Sequence, residues 1–207
     1  MITTHMTPVP RSTVVTYRDD GPLSRGMGML VAGQLPPLPP LVAGTFVVGV
    51  LLLMGVAGSA GLAVFVPLVT LLLAGPGSSH PHDGRFDWLV PPTLRMIEYA
   101  FIAACGFAHD VNPVLIFLLL GALAFHHYDL VYRLRQQVYP PPWLATFGLG
   151  WDGRMLVISL AVLVDLTVAG FVLLTLYLWA LFGWESLTCW LASPRTGVET
   201  GETGTQD

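Results

Sequence analysis

The sequence contains no lysine and few charged residues of any kind. All nine of its basic residues are arginine, and Asp, Glu, Lys and Arg together make up 11% of the 207 residues. Soluble domains carry about 25% charged residues. Between residues 26 and 82 there is no Asp, Glu, Lys or Arg at all. This scarcity excludes a water-soluble domain of ordinary composition.

Several signatures of soluble enzymes are also missing. The sequence has no Gly-rich phosphate loop with lysine, no His-Glu-x-x-His and no Gly-x-Ser-x-Gly. Its two cysteines, Cys105 and Cys189, form no CxxC pair. The net charge is −4 and no basic stripe is present, so we expect no nucleic-acid partner. The sequence leaves any cofactor undefined.

The chain does contain long runs of apolar residues. Hydrophobic residues make up 54% of it, and the mean hydropathy is +0.67. A membrane-spanning helix needs about 20 apolar residues. We therefore predict an all-α, polytopic transmembrane helix bundle in the cell (cytoplasmic) membrane, with about five spans and six as the alternative. The predicted spans are residues 41–56, 60–75, 89–107, 113–130 and 155–182.

Two apolar runs each allow two interpretations. Residues 41–74 would form a helix of about 51 Å, against a hydrocarbon core of about 30 Å. They form either a hairpin that turns in the glycine-rich residues 55–61, which we favour, or one kinked helix. Residues 155–181 form either one tilted span with Asp165 near its centre or a short hairpin with Asp165 near its turn. In a single span, an ionisable residue is a candidate for an intramembrane relay.

The distribution of arginine predicts the orientation. We divide the chain into a Pro-rich N-terminal segment (1–40), a transmembrane domain (41–190) and a disordered C-terminal tail (191–207). With five spans, the N-terminal side holds seven arginines and the opposite side one. Cytoplasmic loops are enriched in basic residues, so the N-terminus is predicted to be cytoplasmic. The seven are Arg11, Arg18, Arg25, Arg85, Arg133, Arg135 and Arg154.

Polar residues at this face form candidate sites. His126, Asp129 and Arg133 share one face of the fourth span, an arrangement that suits either acid–base catalysis with a phosphate or an ordinary interfacial helix end. His80, His82 and Asp83 are weak candidates for metal ligands, and a hydrogen-bonded turn is the alternative. A further set of polar residues at this face is expected to bind a phosphorylated lipid headgroup. These headgroup-binding candidates are Arg85, Arg95, Glu98, Arg135, Asp152 and Arg154.

Five short motifs are distinctive. They are Tyr17-Arg-Asp-Asp-Gly-Pro-Leu-Ser-Arg25, Gly33-Gln-Leu-Pro-Pro-Leu-Pro-Pro40, His80-Pro-His-Asp-Gly-Arg85, Ala124-Phe-His-His-Tyr-Asp129 with Tyr132-Arg133, and Gly150-Trp-Asp-Gly-Arg154. Together they resemble a family of uncharacterised multi-pass membrane domains of high-GC Gram-positive bacteria. In some relatives a similar domain is attached to nucleotidyltransferase-like and CDP-alcohol phosphatidyltransferase-like modules, which implies phospholipid synthesis. The chain lacks the Asp-Gly-x-x-Ala-Arg motif of the phosphatidyltransferases, so the resemblance implies a context and no reaction.

We therefore expect an accessory domain in phospholipid or cell-envelope synthesis, with membrane lipids around it. Its cytoplasmic face would bind a phosphorylated lipid headgroup or a lipid-synthesis enzyme. The first alternative is a membrane-embedded transferase or hydrolase that uses His126, Asp129 and Arg133. The second is a small transporter that uses Asp165 and the Arg95/Glu98 pair as an intramembrane relay.

Overall fold

The fold is all-α within the part of the chain that the structure describes. This computed structural model describes residues 11–56 and 60–192, which contain helices and no strand. Residues 193–207 of the predicted tail and the centre of the glycine-rich turn lie outside these residues, whereas residues 191 and 192 belong to the last helix. The α-helices are α1 Arg11–Tyr17, α2 Pro22–Val31, α3 Leu38–Val56, α4 Ala60–Ala63, α5 Val66–Ala74, α6 Val90–Ala108, α7 Pro113–Arg135, α8 Leu144–Phe147, α9 Gly150–Leu163 and α10 Thr167–Ala192.

Within residues 11–56 and 60–192, five helical segments are long and apolar enough to cross a membrane, which confirms the predicted all-α bundle. They are Leu38–Gly55, Gly61–Ser79, Pro113–Arg135, Leu144–Leu163 and Thr167–Leu191. Helix α6 is not among them, although its 19 residues correspond to about 28 Å. It carries Arg95 and Glu98 and leads from the His80 loop to His109, close to Asp165. Together with α6, six helical segments of the described residues therefore run between the two ends of the bundle.

The predicted continuous helix over 155–182 is wrong, because α9 ends at Leu163 and α10 begins at Thr167. Asp165 adopts a left-handed backbone conformation with φ 59°. The Leu166 amide donates to the Ala161 carbonyl at 2.8 Å, and the Asp165 amide donates to Val162. These bonds close the C-terminus of α9 in a Schellman motif. Asp165 is thus a turn residue, as in the hairpin alternative.

The same turn closes two other helices. Asp110 follows α6 with φ 53°, and Gln137 follows α7 with φ 62°. In each case the next amide donates to a carbonyl five residues earlier, from Val111 to Gly106 and from Val138 to Arg133. Aspartate and glutamine occupy positions where glycine is the usual residue.

Apolar side chains pack between α6, α7, α9 and α10. Phe101, Ile116, Ile158 and Phe171 are fully buried there. Helix α3 lies antiparallel to α4 and α5, since Gly44 faces Leu73 and Gly55 faces Ala63. Many large apolar side chains point outward, as lipid contact requires.

The N-terminal segment is part of this bundle. Helix α2 packs on the 3₁₀-helix Gly75–Ser79, and α1 contacts α7. Residues 11–37 of the predicted Pro-rich N-terminal segment (1–40) therefore pack on the bundle and are not set apart from it. We call the end of the bundle that holds Asp19, His126, Arg133 and Arg154 the polar end, and the end that holds Asp110 and Asp165 the opposite end.

Candidate functional site

Asp19 lies at the centre of the polar end. It occupies the turn between α1 and α2 with φ 53°. Its Oδ2 accepts a hydrogen bond from Arg154 Nη2 at 2.7 Å, and its Oδ1 lies 3.6 Å from His126 Nε2. Burial alone would raise the pKa of Asp19, but Arg154 and His126 together lower this pKa well below its ordinary value. Asp19 is therefore a carboxylate at neutral pH.

Arg154 joins Asp19 to a second buried acid. Its Nε donates to Glu98 Oε1 at 2.6 Å, and its Nη2 reaches Glu98 Oε2 at 3.2 Å. Arg154 and Glu98 are both 0% exposed. A buried arginine is retained when carboxylates and carbonyls occupy its donors, and here Nη1 also binds the Gly148 carbonyl. Arg154 thus holds α6, α9 and the α1–α2 turn together.

His127 extends this network towards α6. Its Nε2 lies 3.3 Å from Asp19 Oδ2, and its Nδ1 lies 2.8 Å from the Tyr99 hydroxyl. Nε2 must donate to the carboxylate, and in the neutral ring Nδ1 then accepts from the Tyr99 hydroxyl. The neighbouring His126 ring stacks on Phe182 with centroids 3.9 Å apart.

Two of the distinctive motifs meet beside Asp19. The carboxylate of Asp152 accepts from the amides of Gly21, Leu23 and Ser24, at 2.6, 3.1 and 3.0 Å. It therefore caps the N-terminus of α2 from a different helix, α9. Trp151 Nε1 adds a hydrogen bond to Asp20 Oδ1 at 2.8 Å. These contacts dock the Tyr17 motif on the Gly150 motif.

Arg18 attaches the same turn to the His80 loop. It pairs with Asp20 at 2.7 Å, and its Nη1 donates to His82 Nε2 at 3.1 Å. The His82 Nδ1–H donates to the His80 carbonyl, so the ring is neutral. Burial and the Arg18 charge lower the pKa of His82, which agrees with that state.

Asp129 and Arg133 belong to a separate cluster. Arg133 forms two hydrogen bonds to Glu185 at 2.6 and 2.8 Å and a further ion pair with Asp129 at 2.8 Å. Trp190 Nε1 donates to Asp129 at 3.2 Å. The cavity that His126 lines has neither Asp129 nor Arg133 in its wall. The structure therefore does not bring the three candidate catalytic residues together on one cavity.

The headgroup candidates also occupy different surroundings. Glu98, Asp152 and Arg154 are buried in the contacts above. Arg95 is partly buried, and its Nη2 donates to the Tyr17 carbonyl at 2.9 Å. Arg135 is exposed at the C-terminal end of α7, and Arg85 lies over the Phe86 ring, 5.4 Å from its centroid. Among the metal candidates, His80 and Asp83 lie close together, whereas His82 turns to Arg18.

Among the cavities at the polar end, two have Arg25 in their walls. The first has a volume of about 230 Å³ and contains Asp19 and His126, with a wall of prolines 140–142 and Leu144. The second, of about 650 Å³, is lined by Ser78, Ser79 and His80. The two cavities share a wall that consists of Val15, Thr16 and Arg25. Arg25 is exposed, and within residues 11–56 and 60–192 it forms no ion pair.

Sequence reasoning missed the centre of this site. Asp19 and Asp20 lay in the predicted N-terminal segment, outside the transmembrane domain, and Arg18 and Arg25 were used only to predict orientation. The available signal was the run of three charged residues before Gly21-Pro22, inside a motif that had already been noted as distinctive.

The apolar helices and the buried polar end define an all-helical membrane protein. The chain belongs to DUF5941, a family of unknown function, whose model matches residues 11–206. No curated protein and no solved structure shows a significant match to the chain.

Proposed function

We propose that this protein binds a phosphorylated lipid headgroup at its polar end, as an accessory domain of phospholipid or cell-envelope synthesis in the cell membrane. The observation that carries the proposal is the position of Arg25. Its guanidinium group is exposed at the shared edge of two cavities and has no acidic partner among the described residues.

The other arginines of the polar end explain why Arg25 is the relevant cation. Arg18, Arg133 and Arg154 are almost fully buried and hold carboxylates at 2.6–2.8 Å. A ligand phosphate would have to displace these carboxylates, which leaves buried charges unpaired. Arg25 requires no such exchange, and a guanidinium group binds phosphate through two parallel hydrogen bonds.

The cavity walls suit the rest of a headgroup. Asp19 and His126 offer hydrogen-bonding atoms to headgroup hydroxyls on one side of Arg25, and the exposed hydroxyl of Ser79 lies on the other. Leu144, Val15 and the prolines at 140–142 provide apolar contact beside the first cavity. This combination matches a phosphorylated, hydroxyl-bearing headgroup whose acyl chains remain in the bilayer.

Titration of the protein in nanodiscs of phosphatidylcholine tests the proposal. The probe is a short-chain phosphatidylinositol, followed by calorimetry, with glycerol 3-phosphate as a second probe that separates a lipid site from a free-phosphate site. Arg25→Gln is expected to weaken lipid binding at least tenfold, or about 1.4 kcal/mol. Arg135→Gln, an exposed arginine outside both cavities, is the matched control and should bind normally. Equal binding by wild type and Arg25→Gln contradicts the proposal.

A transferase or hydrolase remains the second candidate, now centred on Asp19 and His126. The supporting observation is the 3.6 Å distance between the Asp19 carboxylate and His126 Nε2 in the wall of a cavity. Such a pair orients a histidine for proton transfer. Conversion of the bound lipid, lost in His126→Gln with binding retained, would favour this candidate. Asp165 lies in a turn, so the transporter alternative loses the mid-span charge on which it rested.

A further inference from the structure

The loop that follows the 3₁₀-helix Gly75–Ser79 brings together three metal-ligating side chains. His80, Asp83 and Asp87 each place one nitrogen or carboxylate oxygen within 4.8 Å of the other two. His80 Nδ1 and Asp87 Oδ2 are 3.9 Å apart. We propose that this loop binds a divalent transition-metal ion, in the range from Mn²⁺ to Zn²⁺, through His80 Nδ1 and the two carboxylates.

Asp87 supplies an independent reason for a cation here. Its side chain is 9% exposed, and it accepts one hydrogen bond, from the Gly84 amide at 3.0 Å. Within the described residues, its ion-pair contact is His80, which is charged only if it is protonated. Arg85 lies over the Phe86 ring instead. A buried carboxylate without a permanent positive partner is costly, and a bound ion supplies that charge.

The donor set selects the class of metal. One imidazole nitrogen with two carboxylates suits Mn²⁺, Fe²⁺ or Zn²⁺, whereas Mg²⁺ and Ca²⁺ prefer oxygen ligands alone. Ligand atoms bound to one such ion at about 2.0–2.2 Å are at most about 4.4 Å apart. Asp83 is exposed, so rotation of its side chain closes the remaining distance. Binding at Nδ1 replaces the 3.1 Å hydrogen bond that the His82 amide donates to this nitrogen.

His82 fixes the loop from the other side. Arg18 and the His80 carbonyl occupy its two ring nitrogens, so it serves as an anchor and is not a ligand. Three protein ligands leave coordination positions open for water or another oxygen. Because His80 also lines the second cavity beside Arg25, the proposed metal site borders the proposed headgroup site. The metal site stands on its own residues and does not depend on the headgroup.

Metal titration of the chelator-treated protein in nanodiscs tests the inference. MnCl₂, ZnCl₂ and MgCl₂ are compared by calorimetry, and the Mn²⁺ complex is examined by electron paramagnetic resonance for nitrogen coupling. We expect one ion per chain, tighter binding of Mn²⁺ and Zn²⁺ than of Mg²⁺, and coupling to one histidine nitrogen. Asp87→Asn and His80→Ala should each weaken binding at least tenfold.

The controls separate this site from general metal binding and from the proposed function. His109→Ala removes a histidine at the opposite end and should bind metal normally, as should Arg25→Gln. Each variant is checked by circular dichroism and by its elution volume. If the loop is only a His80–Asp87 ion pair, the wild type will show no stoichiometric binding, which overturns the inference. Unchanged binding in Asp87→Asn, or a preference for Mg²⁺, overturns it as well.

Discussion

Arg133 and Glu185 form a two-bond ion pair across the polar end, with Nη1–Oε1 and Nη2–Oε2 distances of 2.6 and 2.8 Å. The pair joins the C-terminal part of α7 to that of α10, 52 positions later in the chain. Both helices therefore end on the same side of the bundle. With five spans, the sequence had placed these two helix ends on opposite sides, because it counted residues 155–182 as one crossing.

Cysteine labelling distinguishes these two topologies. In a background with Cys105→Ser and Cys189→Ser, single cysteines replace Gln136, Asp165 and Leu191, all of which are exposed. A membrane-impermeant maleimide applied to one side should label positions 136 and 191 together, and position 165 only from the other side. If position 191 is labelled only from the side opposite to position 136, and position 165 is labelled from neither side, residues 155–182 form a single span.

Loss of the Glu185 charge should destabilise the bundle. Glu185→Gln leaves the buried Arg133 with Asp129 as its remaining ion-pair partner. Breaking a buried ion pair costs about 3–5 kcal/mol, and the retained Asp129 contact places the expected loss near 3 kcal/mol. Thermal unfolding in detergent measures the change. The control Asp110→Asn, an exposed acid at the opposite end, should unfold like the wild type, and an equal loss in both variants would be evidence against a specific pair.

The stability contributed by Asp19 should disappear in acid. The pKa of Asp19 is lowered in the folded protein, so its contribution is complete above the ordinary aspartate pKa of about 4. This contribution is lost as the pH falls towards the folded pKa, because the proton then neutralises the partner of Arg154. Unfolding of wild type and Asp19→Asn between pH 3 and 7 measures it. The two should differ by a constant amount above pH 5 and converge below pH 4; a gap that widens in acid would have the wrong sign.

Gly21 should be essential for docking of the N-terminal segment. A Cβ atom at this position would lie 2.1 Å from the Leu149 carbonyl oxygen and 2.3 Å from Asp152 Oδ1. Gly21→Ala must therefore displace the turn from α9, and limited proteolysis should cleave the segment before residue 38 much faster. Gly26→Ala is the matched control, since nothing lies within 4 Å of its added carbon. This variant should resist protease at least as well as the wild type, because alanine favours helix by about 1 kcal/mol.

Apolar run length was sufficient to predict an all-α bundle, since few structures other than helices satisfy the backbone in lipid. The turn at Asp165 was left as one of two alternatives because the helix-ending signals sought were glycine and proline. Asp165, in a left-handed conformation, ends α9 through backbone hydrogen bonds. The pattern of hydrophobic residues does not predict these bonds.

The sequence predicted on which side of the bundle the candidate site lies, but it did not predict which residues form the site. Spacing along one helix relates His126, Asp129 and Arg133, and the Asp129–Arg133 contact at i, i+4 does form. Spacing contains no information about Asp19, which lies 107 positions before His126 and approaches it through the docking of a separate segment. Spacing also gave no indication of the proposed role of Arg25, because that role depends on the two cavities that Arg25 lines.

The cap that Asp152 supplies to α2 also bears on the order of assembly. The Gly21 amide donates to the Asp152 carboxylate, and Gly21 is synthesised 131 residues before Asp152. During translation the N-terminal segment therefore waits, uncapped, until α9 has entered the membrane. Helix α2 is thus made before α9 but reaches its final, capped position only after α9 has been added to the bundle.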